Sequence, residues 1–380
     1  MKFAIVAVGY NRPYAISRLL NSVSEAAYLD DMVDLVISID KGERQSEIKE
    51  LADAFKWDYG DKRVVVHETR LGLRPHILKC GDLTKQYDAV IILEDDITVA
   101  QGFYTYAKQS VQFYQDDNRI AGISLYLPAI HYLLARPFIP VSNGFDTYLM
   151  QIAQSWGQCW TRDMWLEFRR WYDENSEKSL VDDNFPDYIS SWGERSWLKF
   201  YMKYILDTNK FFVYPYISLS TNHSDVGEHC LNNNNDYQVP LMQNTKKYCF
   251  PIFDEAVFYD IFFERINLKI SDFNGKNICI DLYGLKKNFK NYDILFSTMS
   301  HPYRLLKEVA LKYRPHEVNC SLTPEGRGIF VYDLNIPAKS PKYDMLNLVK
   351  HDIRLFNWKK SLKIGFLGFL KAIIKKFGKE

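Results

Sequence analysis

The feature that most constrains the fold is an alternation of apolar runs and amphipathic segments over the first 125 residues. Phe3–Val8, Leu35–Ile39 and Val90–Leu93 are short and continuously apolar, as strands buried on both faces are. Between such runs, segments like Tyr14–Ser24 repeat apolar residues at helical spacing. This order predicts an α/β fold with a mostly parallel, doubly wound sheet. The other elements predicted here are the strands Arg63–His67 and Ile120–Tyr126 and the helices Ser46–Phe55, Pro75–Gln86 and Tyr104–Tyr114.

Three carboxylates, Glu94, Asp95 and Asp96, follow the apolar run Val90–Leu93 without a spacer. Adjacent acids repel one another and cannot all be buried without partners. A solvated turn is the ordinary explanation of such a triplet. The preceding buried strand favours another, because active sites of open α/β sheets lie at the carboxyl ends of the strands. The triplet therefore suggests a site for a hard divalent cation, which takes oxygen ligands and bridges to substrate phosphates.

The alternation stops at about residue 145, and the segment that follows, to about residue 250, is rich in Trp and Tyr. Helices are predicted near Thr161–Tyr172 and Glu194–Asp207. A polar loop, Ser220–Tyr237, has the length and composition of a lid over a binding site. We expect residues 1–250 to form one domain.

A smaller α/β domain is predicted over residues 251–345. Its first element is a helix over Asp254–Leu268, and Pro337–Pro341 has the composition of a linker. Between the two, five short segments carry apolar residues. They are Ile278–Leu282, Ile294–Phe296, Pro302–Lys312, Glu317–Leu322 and Ile329–Asp333.

Positive charge is concentrated at the end of the chain. Residues 346–380 carry nine Lys or Arg and two acidic residues, whereas the whole chain has a net charge of +1. Helical spacing gives this tail an apolar face opposite several lysines, which is typical of a helix lying on an anionic membrane surface. A helix docked on the protein is the alternative. General nucleic-acid binding is not expected from charge so localised. The apolar face comprises Leu362, Phe366, Phe369, Leu370, Ile373 and Phe377, and the lysines are Lys360, Lys371, Lys375 and Lys379.

Cysteine spacing and the apolar segments bear on localisation. The six Cys residues form no CxxC pair and no regular pattern, which predicts reduced thiols rather than a zinc site or a disulfide framework. The run Met1–Tyr10 is short for a secretory signal and lacks a cleavage site. No run reaches the roughly 18 apolar residues that span a bilayer. We therefore expect a cytoplasmic protein, peripheral on the inner face of the cell membrane.

Five short sequence elements follow one another in an order that is characteristic when they are taken together. They are AIVAVGYNRP at Ala4–Pro13, LVISID at Leu35–Asp40, the acidic triplet, SWGQCW at Ser155–Trp160 and SWGER at Ser191–Arg195. Together they resemble GT-A nucleotide-sugar glycosyltransferases, especially bacterial family-2-like enzymes and the N-acetylglucosaminyltransferase I group. The resemblance covers roughly residues 3–230. It implies the GT-A (Rossmann-like) form of the α/β fold, a UDP-sugar donor, and Mn²⁺ or Mg²⁺ as cofactor.

The resemblance also implies which residues hold the donor. Asn11 and Arg12, after the first strand, would contact the nucleotide base. Asp40, at the end of the second strand, would hydrogen-bond the uracil or the ribose. Glu94 and Asp95 would face the ribose and the donor sugar.

Three further roles concern the chemistry. Asp96 would bind the metal and bridge it to the diphosphate. Glu194 matches the general base of an inverting enzyme, although the related group has Asp at this position. His223 or His229, in the polar loop, would complete the metal shell, as a histidine does in some GT-A enzymes. One metal and one carboxylate base suffice for a single displacement with inversion.

Other candidate residues have two possible roles. Trp156 and Trp160 flank a compact turn and could form a platform for a sugar, or could belong to the core. Asp182, Asp183 and Asp187 are rival bases, although such a cluster is more typical of a surface loop.

We therefore expect an inverting transferase that moves a hexosyl or N-acetylhexosaminyl group from a UDP-sugar to a glycan or lipid-linked acceptor. Bacterial surface polysaccharide synthesis (capsule, O-antigen or lipooligosaccharide) fits a tail bound at the membrane. One alternative is a sugar nucleotidyltransferase, but Gly9–Pro13 lacks the Gly-rich basic loop of such enzymes. The other is a catalytically silent glycan-binding or scaffold protein, and the intact acids count against it.

Overall fold

A computed structural model describes residues 1–225, 237–342, 348, 351–352, 359, 362–363 and 365–370. The chain divides into two compact units. The first comprises Met1–Ile266 and Lys286–Asn288, and the second comprises Asn267–Leu285 and Phe289–Glu380.

The described part of the first unit contains fourteen strands and seven α-helices. The strands are β1 (Phe3–Gly9), β2 (Asp34–Ile39), β3 (Lys62–Val66), β4 (Ala89–Glu94), β5 (Ile97–Val99), β6 (Ile120–Ser124), β7 (Ile130–His131), β8 (Arg136–Pro137), β9 (Thr147–Met150), β10 (Gln158–Thr161), β11 (Phe211–Pro215), β12 (Ser220–Asn222), β13 (Phe258–Tyr259) and β14 (Arg265–Ile266). The helices are α1 (Pro13–Ser24), α2 (Gln45–Ala54), α3 (Leu73–Gly81), α4 (Phe103–Tyr114), α5 (Arg162–Asn175), α6 (Asp187–Ser190) and α7 (Leu198–Asp207).

A ten-stranded sheet forms the centre of this unit, in the order β14-β13-β9-β11-β6-β10-β4-β1-β2-β3. The half predicted from apolar runs is entirely parallel, because β1 pairs with β2 and β4, and β2 pairs with β3. Over the whole sheet, five of the nine neighbouring pairs are parallel. The predicted α/β class with a mostly parallel sheet is confirmed.

Helices cover both faces of the sheet, as predicted for a doubly wound fold. In β10, Cys159 faces the core that includes α1 and α4, whereas Trp160 points the other way. Trp160 packs against Trp165 of α5 and stacks on Tyr201 of α7, with ring centroids 4.6 and 5.4 Å away. A Cβ at Gly81 of α3 would lie 2.2 Å from the Trp165 ring, so this close approach requires glycine.

The predicted helix over Asp254–Leu268 is wrong. The segment holds a short 3-10 turn at Phe253–Glu255 and the strands β13 and β14. β13 adds to the central sheet beside β9, so backbone pairing overrides a pattern that periodicity cannot assign to helix or strand. The first unit consequently extends to Ile266, past the boundary expected at residue 250.

The second unit has its own small α/β core. Its elements are β15 (Ile278–Asp281), β16 (Ile294–Ser297), β17 (Tyr303–Ala310), α8 (Val318–Leu322) and β18 (Gly328–Pro337). Each of the five predicted segments overlaps one of them. The strands form one sheet in the order β15-β16-β18-β17, with Ile280, Phe296 and Val331 in the core.

The beginning of the C-terminal tail is anchored to the second unit. Leu348 packs against the core of that unit. The Arg314 guanidinium donates hydrogen bonds to the backbone carbonyls of His351 and Asp352, and His351 is buried. These contacts attach Leu348, His351 and Asp352 to the second unit.

The amphipathic helix predicted further along the tail falls largely outside the described residues, including Ile373, Phe377 and the four lysines assigned to its polar face. Where the tail is described, residues 365–370 are helical. Leu362, Phe366, Phe369 and Leu370 of the predicted apolar face are exposed.

Within the described residues, no helix combines the length and apolar character needed to cross a membrane. Among the described cysteines, Cys80, Cys159 and Cys249 are free thiols.

Candidate active site

The acidic triplet lies at the carboxyl edge of the parallel sheet. Glu94 is the last residue of β4 and is paired in register with Val8, one residue before the end of β1. Asp95 and Asp96 form the turn into β5, and β5 pairs with β12. The predicted position of the three acids, at the end of a buried strand, is confirmed.

Arg12, just after β1, is the cation that faces the triplet. Its Nη2 donates to Asp95 Oδ1 and lies 3.5 Å from Asp96 Oδ2. Burial lowers the pKa of Arg12, but the neighbouring carboxylates outweigh that effect and raise it overall. Arg12 therefore remains charged and offsets part of the negative charge of the triplet.

Two buried carboxylate oxygens of the triplet, Glu94 Oε1 and Asp96 Oδ1, make no hydrogen bond to any of the described residues. Burial, reinforced by the charges of Asp96 and Asp95, raises the pKa of Glu94 well above its usual range. Burial also raises the pKa of Asp95 to about 6, against the opposing effect of Arg12. The site therefore favours the arrival of a positive charge or of hydrogen-bond donors.

The residues at this edge fit a divalent cation held mainly by a substrate. Within residues 1–225 and 237–342, no three His, Cys, Asp or Glu side chains are arranged to hold a metal. A Mg²⁺-like ion, however, commonly takes only one or two protein carboxylates and completes its shell with phosphates and water. Asp96 Oδ1, which makes no hydrogen bond to a described residue, would be available as one such ligand.

His223 lies beside Asp96, at the end of β12. Its backbone N–H donates to the Asp96 carbonyl at 2.9 Å, and its Nε2 is 2.7 Å from Thr98 Oγ1. Burial, helped by the charge of Arg18, lowers the pKa of His223, which favours the neutral ring that metals bind. Thr98 therefore holds the Nε2 side of the His223 ring. The other candidate, His229, lies outside the described residues.

Asp40 holds the loop between β3 and α3. Its Oδ1 accepts the backbone N–H of Leu71 at 2.8 Å, and its Oδ2 accepts that of Gly72 at 2.9 Å. Gly72 has a φ of +77°, a backbone conformation that favours glycine. Asn11 likewise holds the loop after β2, because its Oδ1 accepts a hydrogen bond from the Arg44 backbone N–H at 3.1 Å. Both residues therefore shape the edge of the sheet where the nucleotide is predicted to bind.

Replacing Asp40 by alanine is expected to lower the free energy of unfolding by about 2–4 kcal/mol, because a buried carboxylate that accepts several N–H groups is lost. Urea unfolding followed by tryptophan fluorescence measures the change. Asp58→Ala is the matched control at an exposed aspartate and should stay within about 0.5 kcal/mol of the wild type. An equally small effect of Asp40→Ala would show that other contacts hold the loop.

The two tryptophans of the SWGQCW element have different environments. Trp160 is fully buried and belongs to the core, so it cannot serve as a sugar platform. Trp156 is half-buried in an aromatic cluster with Tyr126, Tyr132 and Tyr237, at ring-centroid distances of 4.8, 5.7 and 4.7 Å. Of the two, only Trp156 retains surface that a ligand can reach.

Glu194 lies in an exposed turn rather than at the start of a helix, because α7 begins four residues later at Leu198. Its side chain is 84% exposed. Lys199 Nζ is 3.2 Å from Glu194 Oε1, and Arg74 Nη1 is 4.0 Å from Oε2. Lys199 is itself buried and also donates to the Trp192 carbonyl, which orients the turn. The carboxylate is thus accessible to a substrate and is held between two cations.

The rival bases are surface residues, as their clustering in a loop suggested. Asp182 is paired with Lys203 at 3.1 Å, and its pKa is lowered by the Asn184 N–H and by Lys203. Asp183 is exposed. Asp187 is exposed and paired with Lys287.

Sequence reasoning missed three polar residues close to this site. Arg18 of α1 forms a bidentate ion pair with Asp225, which lies 207 residues away in the sequence. Gln158 is fully buried in β10, opposite Ile92, and no described residue bonds its side-chain amide. The polar character of SWGQCW could have singled out Gln158. No local signal could have paired Arg18 with Asp225, because the contact depends on the fold.

Comparisons with known proteins place this chain in no family, since no family model and no curated protein matches it. Several solved structures are similar over part of their length. TarS 1-349 from S. aureus in complex with UDP-GlcNAc is 17% identical, with 60% of each chain covered and a TM-score of 0.39. Mannosyltransferase PcManGT from Pyrobaculum calidifontis in complex with GDP-Man and Mn²⁺ is 16% identical, with 44% of this chain and 46% of that chain covered and a TM-score of 0.33. GalNAc-T7 with UDP, GalNAc and Mn²⁺ is 13% identical, with 57% of this chain and 42% of that chain covered and a TM-score of 0.39. The chain spans less than two thirds of the length of each of these structures.

Proposed function

We propose that this protein is a nucleotide-sugar glycosyltransferase of the inverting type, with a UDP-sugar as donor and a divalent cation as cofactor. The observation that carries the proposal is the acidic triplet at the carboxyl edge of a largely parallel sheet. There, Asp96 Oδ1 and Glu94 Oε1 are buried without a partner among the described residues. The five sequence elements that resemble GT-A enzymes support the same conclusion.

The charge balance of the site supports the need for a cation. Asp95, Asp96 and Asp225 surround the Arg12 and Arg18 guanidinium groups, and Glu94 adds a fourth carboxyl group. A diphosphate brought to such an edge meets more acids than bases. Asp96, with His223, would hold Mn²⁺ or Mg²⁺, which when bound neutralises charge on the leaving diphosphate.

The other residues would bind and orient the substrates. Arg12 stands at the same edge, so its charge also faces the nucleotide. Asp40 and Asn11 hold the loops that border the base. Trp156 offers the exposed part of an aromatic ring against which a sugar can pack.

Glu194 is proposed as the general base. It would accept the proton of the acceptor hydroxyl while that oxygen forms a bond to the anomeric carbon of the sugar. The bond from this carbon to the diphosphate oxygen breaks in the same step, so the configuration inverts. The exposure of Glu194 supports this role, because the acceptor must reach the carboxylate from solvent.

The acceptor is proposed to be a glycan or a lipid-linked glycan of surface polysaccharide synthesis, used at the inner face of the cell membrane. The basic tail supports this setting. Its described apolar residues, Leu362, Phe366, Phe369 and Leu370, are exposed, and residues 346–380 carry nine Lys or Arg against two acidic residues. A helix of this kind binds anionic bilayers through both its charge and its apolar face.

Deleting residues 353–380 is expected to move the protein from the vesicle pellet to the supernatant, because eight of the nine basic residues of the tail are removed. The truncation point keeps the anchored residues Leu348 and His351. Co-sedimentation with vesicles containing anionic lipid measures binding, and neutral vesicles are the control. Equal sedimentation of the full and truncated chains would contradict the proposal.

A thermal-shift screen of nucleotide sugars with Mn²⁺ tests the proposed activity. UDP-sugars are expected to raise the melting temperature, and UDP should be released when a suitable acceptor is added. Release of pyrophosphate from UTP and a sugar 1-phosphate would instead indicate a nucleotidyltransferase. No shift with any nucleotide sugar would favour a silent glycan-binding protein.

A further inference from the structure

Asp225, three residues after β12, is bound by two arginines from the beginning of the chain. Arg18 Nη1 donates to Asp225 Oδ1 at 3.1 Å, and Arg18 Nη2 donates to Oδ2. Arg12 Nη1 donates to the Asp225 backbone carbonyl at 3.5 Å. The Arg18 and Asp225 side chains are only 19% and 26% exposed. In a bidentate, partly buried arginine–carboxylate pair, the two hydrogen bonds are strong and fix the relative orientation of the side chains.

The segment that ends in Asp225 is also attached to the acidic triplet. β12 pairs with β5, the strand that follows Asp96. The His223 N–H then bonds the Asp96 carbonyl, and the Ser224 N–H bonds Asn222 Oδ1 at 2.6 Å. Residues 220–225 therefore cross the carboxyl edge of the sheet, with His223 beside Asp96 and with Asp225 held by α1.

Arg12 connects this segment to the acids. Its guanidinium binds Asp95, lies near Asp96 and reaches the carbonyl of Asp225. Without Arg18, the Asp225 carboxylate would retain Arg12 as its neighbouring arginine among the described residues, and would compete with Asp95 and Asp96 for it. The Arg18–Asp225 pair therefore removes a competitor for the Arg12 guanidinium.

We propose that Arg18 and Asp225 are positioning residues that set the affinity of the site for a nucleoside diphosphate complexed with a divalent cation. The ion pair fixes residues 223–225 so that His223 stays beside Asp96, and it leaves Arg12 to the triplet. This inference rests on the proposed function, because it concerns the binding site for the leaving group. Neither residue is assigned a role in the chemical step.

Calorimetric titration of UDP into the full-length protein with Mn²⁺ tests the inference. Arg18→Met is expected to weaken UDP binding at least tenfold. Arg18→Lys keeps the positive charge but cannot pair with both carboxylate oxygens in the bidentate geometry, so it should recover part of the lost affinity. The reversed pair Arg18→Asp with Asp225→Arg should bind more tightly than either of its single variants, because the two residues are coupled. Melting temperatures measured in parallel, without ligand, separate an effect on stability from an effect on affinity.

The results distinguish a failure of the proposed function from a failure of this inference alone. Wild-type protein that does not bind UDP with Mn²⁺ would overturn the proposed function and this inference with it. Wild-type binding that persists within twofold in Arg18→Met would overturn the inference alone. Should Arg18→Met fail to fold, Arg18→Lys provides the same comparison, and unchanged affinity in that variant, together with no recovery in the reversed pair, would count against the inference.

Discussion

Replacing Asp96 by asparagine is expected to abolish the Mn²⁺-dependent part of UDP binding. Asparagine keeps the shape of the side chain but removes the charge of the carboxylate that is proposed to hold the cation. Asp96 Oδ1 is buried and has no donor among the described residues, so the native contacts of that oxygen are not disturbed. We expect the affinity for UDP with Mn²⁺ to fall by about 100-fold or more, which corresponds to about 2.7 kcal/mol.

Calorimetry with and without Mn²⁺ separates this effect from a general loss of nucleotide binding. Asp58→Asn, at an exposed position, is the matched control and should bind as the wild type does. Asp96→Asn should retain the weak binding that wild-type protein shows without metal. Unchanged Mn²⁺-dependent binding in Asp96→Asn would place the cation elsewhere.

Replacing Glu194 by glutamine is expected to remove nearly all transfer while donor binding is retained. Glutamine is similar in size and still hydrogen-bonds Lys199 or the acceptor, but it cannot take up a proton. Loss of a general base typically lowers the rate by about 10²–10⁴-fold. Slow hydrolysis of the donor, with water in place of the acceptor, gives a readout that needs no known acceptor.

Glu174→Gln, on an exposed part of α5, is the matched control for this substitution and should leave both binding and turnover unchanged. UDP release by Glu194→Gln within a few-fold of the wild type would mean that the base lies elsewhere. Asp182, Asp183 and Asp187 would then be tested in the same assay, although Asp182 is already paired with Lys203.

Local sequence patterns were sufficient for the parallel half of the sheet. Apolar runs such as those of β1 and β4 are buried on both faces, so these strands can be predicted without knowledge of their neighbours. The acidic triplet could also be recognised locally, because it follows an apolar run without a spacer. Strands of two to four residues, such as β9 and β13, carry too little pattern to be recognised.

Tertiary pairing accounts for what sequence reasoning missed. The segment Ala256–Phe263, apolar except for Asp260, fits a helix or a strand equally well, and the pairing of β13 with β9 makes it a strand. Glu194 was expected at a helix start, but the turn before α7 is held by contacts of Lys199 with Trp192 and Glu194. The ion pair between Arg18 and Asp225 joins residues that no local rule relates.

We propose that Asp96 belongs to the half of the site that binds the leaving group. Anomalous diffraction at the manganese edge, from crystals grown with MnCl₂ and UDP, tests it most directly. The predicted result is one manganese peak within bonding distance of the Asp96 carboxylate and of the UDP phosphates, at about 2.0–2.1 Å as is typical of a small divalent ion. UDP bound away from β4, or manganese bound without Asp96, would show that Asp96 does not hold the cation.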